Sequence, residues 1–255
     1  ILLMAKVLFA VPMVGGWVTT ALGWRAIFWM QALFGLAVLA AVALSLKETL
    51  PEETAVHARS ETPLKSYVAL LGDRQVMGYV LAGGLGSATR FTYIAASPAV
   101  LIGKFGVSPT SFGVIFGLNA VGIIAASQLN RRLARRWTHL QTLRRANVLA
   151  VAAALVMSAI ALTGVLGMWG LLAPLFVVLA AFGVGPPNAL AGAMEAGGRR
   201  AGATSAVYGF LQYAAGAACA TLSGLVSHDP AISMAVVMTG ALVLSTLVLR
   251  LMVKG

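Results

Sequence analysis

Charge is scarce in this chain. Asp, Glu, Lys and Arg together make up 10% of its 255 residues, and only seven are acidic. Soluble domains carry roughly 25% charged residues, so a water-solvated globular fold is excluded. The counterpart of that scarcity is a hydrophobic content of 60% and a mean hydropathy of +0.91, which mark a membrane protein. Cysteine is nearly absent. The single Cys219 excludes an intrachain disulfide and any cysteine-based metal centre. Three scattered histidines, His57, His139 and His228, do not complete a ligand set and read as solvated, so no metal and no cofactor is expected. No glycine-rich phosphate loop is evident, which leaves nucleotide energy unsupported.

What is present is a series of apolar runs. A bilayer core about 30 Å thick needs about 20 helical residues, and charge-free stretches of that length recur. They predict an all-α polytopic fold with eight transmembrane helices at residues 1–20, 25–46, 75–98, 109–130, 145–165, 169–190, 202–226 and 232–252. Two of these share one 49-residue charge-free run, Ala146 to Met194, divided at Gly164, Gly167 and Gly170 around Trp169. Two others carry a lone cation each, Lys6 and Arg90.

The remaining cations set the orientation. Lys47, Arg59, Lys65, Arg74, Arg131, Arg132, Arg135, Arg136, Arg144, Arg145, Arg199, Arg200, Arg250 and Lys254 all fall on one side, against Arg25 and Lys104 on the other. The positive-inside rule places the heavy side, and with it both visible ends, in the cytoplasm. In a soluble protein the formal net charge of +11 would suggest nucleic acid. Here it is a topology signal, and the lipid bilayer is the expected partner instead. One connection is long: residues 47–74 hold Pro51, Pro63, five acids and four cations, and read as a cytoplasmic linker between residues 1–46, with two helices, and residues 75–255, with six.

Several motifs then become recognisable. Val7 to Gly16 (VLFAVPMVGG) resembles the antiporter motif in the fifth helix of major facilitator superfamily drug exporters, matching at Pro12, Gly15 and Gly16 and departing at Val7 and Val11, where the motif has glycines. Phe91 to Asn119 and Pro187 to Tyr208 resemble the bicyclomycin and chloramphenicol resistance (Bcr/CflA) branch. The resemblance covers nearly the whole chain. It implies a partial major facilitator fold, with the last two helices of an N-terminal bundle followed by a six-helix C-terminal bundle. The chain begins at Ile1 inside an apolar run, so four further helices are expected upstream.

The candidate site residues follow from chemistry. A cation within a span costs at least about 2.5–3.5 kcal/mol unless it faces protein or water. Arg90 is such a cation, although it lies about 12 Å from the outer end of its helix, within reach of snorkelling. Tyr93 and Ser97 share its face. Tyr208 and Gln212 lie on a polar and small-residue stripe with Ser205, Gly216 and Cys219, and Asn119 lies with Phe116 and Phe112 at helical spacing. Arg90, Tyr93, Phe116, Asn119, Tyr208 and Gln212 are therefore substrate-cavity candidates, each weighed against an ordinary role in helix packing. In the family, Pro12, Gly15 and Gly16 imply a hinge or seal. The basic cluster Arg131, Arg132, Arg135 and Arg136 occupies the place of a cytoplasmic loop motif without its Asp, and a topogenic role is preferred over gating.

The functional expectation is export of a drug-like small molecule in exchange for protons, driven by the proton gradient through alternating access. Uptake or facilitated diffusion of a metabolite, or a non-transporting fragment, are the alternatives. No predicted span holds Asp or Glu, so the proton-carrying acid is expected upstream. An intramembrane enzyme would need a nucleophile and base, or paired carboxylates, within the spans; these are lacking, and no enzyme is expected. Small-residue helix faces serve internal packing and dimer contacts alike, which leaves the oligomeric state open.

Overall fold

The computed structural model describes residue 18, residues 21–46 and residues 63–254. The chain divides into two compact units, Ile1–Ser60 and Glu61–Gly255. Apart from residue 18, the predicted helix at 1–20, and with it Pro12, Gly15 and Gly16, lies outside the described residues.

In the first unit, helix α1 runs Trp24–Ser45, close to the predicted 25–46. It starts at Gly23, whose φ of 80° is left-handed and suits a residue without Cβ. Trp24 meets Phe28 edge to face at 5.9 Å, and the Arg25 guanidinium lies 4.5 Å from the Trp24 ring.

The second unit opens with a helix where a linker was expected. Helix α2 spans Pro63–Gly72, inside the predicted 47–74 linker, and its Leu70 is buried in a cluster with Val76, Val80, Tyr208 and Leu249. Tyr67, Leu70 and Leu71 supply an i, i+3, i+4 stripe that the surrounding charge conceals. Helix α3, Arg74–Pro98, follows directly, with the Asp73 carboxylate accepting from the backbone N–H groups of Gln75 (2.8 Å) and Val76 (3.1 Å).

Helix α3 is the axis of the bundle. Among the described residues, the stretches long and apolar enough to cross a membrane are Trp24–Ser45, Pro109–Leu133, His139–Thr163, Gly167–Leu222 and Pro230–Met252, and α3 is not one of them. Protein covers it instead of lipid: Val76, Tyr79, Val80, Ala82, Ser87, Ala88, Thr89, Thr92 and Tyr93 are all buried. Close approach is possible because Gly78 faces Met252 and Val253, and Gly83 faces Ala189 and Tyr208, each with room for hydrogen but not for a methyl group. After Pro98 the chain continues through a π-helical segment, Ala99–Lys104.

Helix α4, Pro109–Leu133, is capped by Ser108, and helix α5, His139–Thr163, by a reciprocal capping box between Thr138 and Gln141. That cap starts α5 six residues before the predicted 145 and carries Arg144 and Arg145 inside the helix. The next predicted span, 169–190, is broken: helix α6 runs Gly167–Phe182 and helix α7 Gly185–Gly197, with Gly183 and Val184 between them. At 1.5 Å per residue, α6 covers only about 24 Å, so α7 completes the crossing. Helix α8 spans Ala201–Leu222, ending four residues before the predicted 226, and helix α9 spans Pro230–Met252.

Two large apolar clusters fill the unit beside a small third one of Ala88, Cys219, Val237 and Ala241. One, near the C-terminal half of α3, joins Tyr93, Leu101, Met157, Leu175, Leu179, Met234 and Met238; the other, near its N-terminal half, joins Val76, Tyr79, Leu143, Ala189, Tyr208 and Leu249. Polar side chains stitch the helices where apolar packing alone lacks direction. Asn147 Nδ2 donates to Ser245 Oγ (2.9 Å), which donates to the Ala82 carbonyl (2.8 Å), linking α5, α9 and α3. Cations close the C-terminal end of α9, where Arg74 donates to the Leu251 carbonyl (2.6 Å) and Arg144 to the Val253 carbonyl (2.9 Å). At the opposite end, Lys104 pairs with Asp229, the residue that caps α9.

Candidate functional site

The break between α6 and α7 organises the candidate site. Gly183 has φ −66° and ψ −16°, open to any residue, so its glycine answers a contact and not a backbone need. A Cβ there would collide with the Ile123 carbonyl oxygen of α4 and stand 2.9 Å from Ser127 N. Pro186 and Pro187 lack N–H donors and occupy the first turn of α7, where no intrahelical partner exists. Side chains add further bonds to carbonyls at the start of α7. Asn188 Nδ2 donates to the Val184 carbonyl (2.7 Å), and the Tyr208 hydroxyl donates to the Pro186 carbonyl (3.2 Å).

Asn188 also reaches two other helices. Its amide donates to Asn130 Oδ1 of α4 (2.8 Å), and its Oδ1 meets His139 Nδ1 of α5 (3.2 Å). His139, read as solvated from the sequence, is thus exposed on one side and tied to the break on the other. Below it a cleft of about 580 Å³ is lined by Gln75, Tyr79, Trp137, His139, Gly192 and Glu195, among others. Glu195, placed by sequence reasoning between spans, is in the last turn of α7.

Arg90 approaches the break from α3. Its guanidinium carbon lies 4.5 Å from the centroid of Phe182, the last residue of α6, and 4.9 Å from that of Phe91. Phe91 is itself held by α8: its ring meets Tyr213 at 5.4 Å, and it fills the space over Gly216. Arg90 Nε is buried without a hydrogen-bond partner. Arg90 therefore faces aromatic rings of the bundle instead of extending along the helix to the interface. A small cavity of about 20 Å³, the size that holds a water, lies beside it, lined by Phe182, Thr89, Gly83, Asn147 and Pro186.

The other candidates divide. Tyr93, Phe116 and Asn119 meet: Asn119 Nδ2 donates to the Tyr93 hydroxyl (3.0 Å), and the Tyr93 ring stacks on Phe116 at 5.4 Å and 20°. Tyr93 and Asn119 are buried, and Phe116 is exposed. Tyr208 is buried against Gly83, whereas Gln212 is half-buried with its backbone against Gly84. Arg131 and Arg132 occupy the last turn of α4, and all four residues of the basic cluster are exposed. Sequence reasoning missed Phe182, Asn188 and Asn130; the run Gly183-Val184-Gly185-Pro186-Pro187-Asn188 carried the signal.

Comparison with known proteins agrees with this architecture. The family model described as Major Facilitator Superfamily matches residues 6–220. An uncharacterized MFS-type transporter, YdgK, of Bacillus subtilis (strain 168) is 32% identical over 242 residues, covering 92% of this chain and 59% of the relative. The bicyclomycin resistance protein homolog of Haemophilus influenzae is 29% identical over 248 residues, with the same coverage of both, and multidrug resistance protein D of Escherichia coli (strain K12) is 29% identical over 231 residues, covering 89% and 56%. The chain thus spans somewhat more than half the length of these relatives. Its packed apolar helices and these matches together make it a multi-pass membrane protein that belongs to the Major Facilitator Superfamily, on the Bcr/CflA-type branch of transporters.

Proposed function

We propose that the complete protein exports small, lipophilic, drug-like molecules across the cytoplasmic membrane in exchange for protons, by alternating access of two helical bundles, with both visible ends of this chain in the cytoplasm. The carrying observation is the match along most of the chain to relatives named for bicyclomycin, chloramphenicol and multidrug resistance. The site geometry is compatible with it: aromatic rings, one cation and a few polar groups converge on a helix break, the kind of irregular backbone that membrane transporters use around a ligand.

Proton coupling needs a titratable group within the membrane. Asp73, Glu195 and Asp229 lie at helix ends and Glu48, Glu52, Glu53 and Glu61 in the linker sequence. The reading therefore assigns the coupling acid to the portion of the relatives that this chain does not span. The test is chloramphenicol accumulation in cells stripped of their own exporters. Expression of the complete protein is expected to lower accumulation, and a proton uncoupler to restore it. Unchanged accumulation over a broad drug panel refutes export, and lowering that persists under the uncoupler refutes proton coupling.

A further inference from the structure

We infer that Arg90 forms a subsite for the anionic group of a substrate, so that the transporter prefers carboxylate-bearing aromatic compounds to cationic ones; this deepens the export reading and rests on it. The guanidinium is held between the faces of Phe91 and Phe182, which belong to different helices. Phe91 is fixed against Tyr213 and Gly216 of α8, and Phe182 closes α6 at the break, so the clamp is assembled before any ligand arrives. Two aromatic faces stabilise a cation through their ring quadrupoles. They offer no lone-pair acceptor, and Arg90 Nε remains buried without a hydrogen-bond partner.

Among the described residues no carboxylate forms an ion pair with Arg90, and the acids of α3, α7 and α9 stand at helix ends. A partly desolvated cation with free donors discriminates by charge: a carboxylate completes it through charge-assisted hydrogen bonds, whereas a cationic ligand meets repulsion in a low dielectric. The flanking rings favour a planar aromatic body on the same ligand.

Fluorescein, an anion, and rhodamine 123, a cation on the same xanthene scaffold, are suitable probes. Export from proteoliposomes of the complete protein under an imposed proton gradient, and anisotropy binding to the purified protein, are compared for wild type, Arg90→Ala and Arg90→Lys, with chloramphenicol as the uncharged reference. Wild type is expected to bind and export fluorescein in preference to rhodamine 123. Arg90→Ala is expected to weaken fluorescein binding about tenfold or more, and by a larger factor than it weakens chloramphenicol binding, and Arg90→Lys, which keeps the charge and loses the planar fork, to fall between. Wild-type preference for rhodamine 123, or an equal loss of all three compounds in both variants, overturns the subsite. Arg90-dependent fluorescein binding without export of any compound supports the subsite and refutes export alone.

Discussion

Substituting Gly183 by alanine tests whether the break between α6 and α7 is held by contact with α4. The added methyl group would overlap the Ile123 carbonyl oxygen and approach Ala126 Cβ to 3.2 Å and Ser127 N to 2.9 Å. Backbone atoms of a packed helix cannot swing aside, so α4 must retreat by about 1 Å to restore ordinary contact, a degree of overpacking that costs about 1–3 kcal/mol. Because φ at Gly183 is already −66°, alanine brings no dihedral strain. Its better helix propensity offsets at most about 1 kcal/mol. The net expectation is a loss of about 1–2 kcal/mol. Gly113 in α4 has no atom within 4 Å of its missing Cβ and is the control, for which alanine should be neutral or stabilising by up to about 1 kcal/mol. Unfolding of the purified complete protein in mixed micelles, followed by helical ellipticity, separates the two. If Gly183→Ala is as stable as Gly113→Ala, the contact does not hold the break.

Other substitutions probe the remaining ties. Asn188→Leu removes side-chain bonds to Asn130, His139 and the Val184 carbonyl; at about 0.5–1 kcal/mol for each of these bonds, the same micelle assay should register a loss of about 1.5–3 kcal/mol. Tyr93→Phe leaves the ring on Phe116 and deprives Asn119 of its acceptor; a stability loss near 1 kcal/mol with chloramphenicol export unchanged would make the pair a packing element, and a loss of export at normal membrane abundance would place it in the cavity. Partial burial raises the Asp229 carboxyl, but the Lys104 hydrogen bond, the N–H groups of Ala231 and Ile232 and the Lys104 charge together hold it below the ordinary carboxylate range. A depressed value stabilises the fold above the unfolded-state pKa near 4 and is lost as pH falls through the folded one, so unfolding temperature should drop at acid pH in wild type and less so in Asp229→Asn.

Much of the fold is legible in the sequence because lipid imposes a simple rule on it. Helix α4 begins at the predicted Pro109, since Ser108 and Pro109 form a recognisable cap, and α9 begins two residues from expectation behind the Asp229 cap. The start of α5 was misplaced because Arg144 and Arg145 suggested a loop, whereas Thr138 and Gln141, three residues apart, marked the helix start. The α6–α7 break escaped notice for a different reason. Hydropathy sums over side chains and is blind to backbone geometry, so a charge-free run conceals Gly183 and the paired prolines. Among site residues, helical spacing put Arg90 and Tyr93 on one face of α3, but their partners Phe182 and Asn119 come from helices far along the chain, and no local pattern specifies that pairing.

The modest hydropathy of α3 has a consequence for biosynthesis. A helix that prefers protein to lipid emerges from the ribosome long before the helices that cover it. The roughly 150 residues from Pro98 to Met252 take about 8–30 s to translate at about 5–20 residues per second. For most of that interval Arg90 and the glycine face of α3 have neither α8 nor α9 beside them. The nascent chain must shelter α3 within the insertion machinery, or against its earlier neighbours, until α9 arrives, which makes the docking of α9 the step that completes this cover over α3.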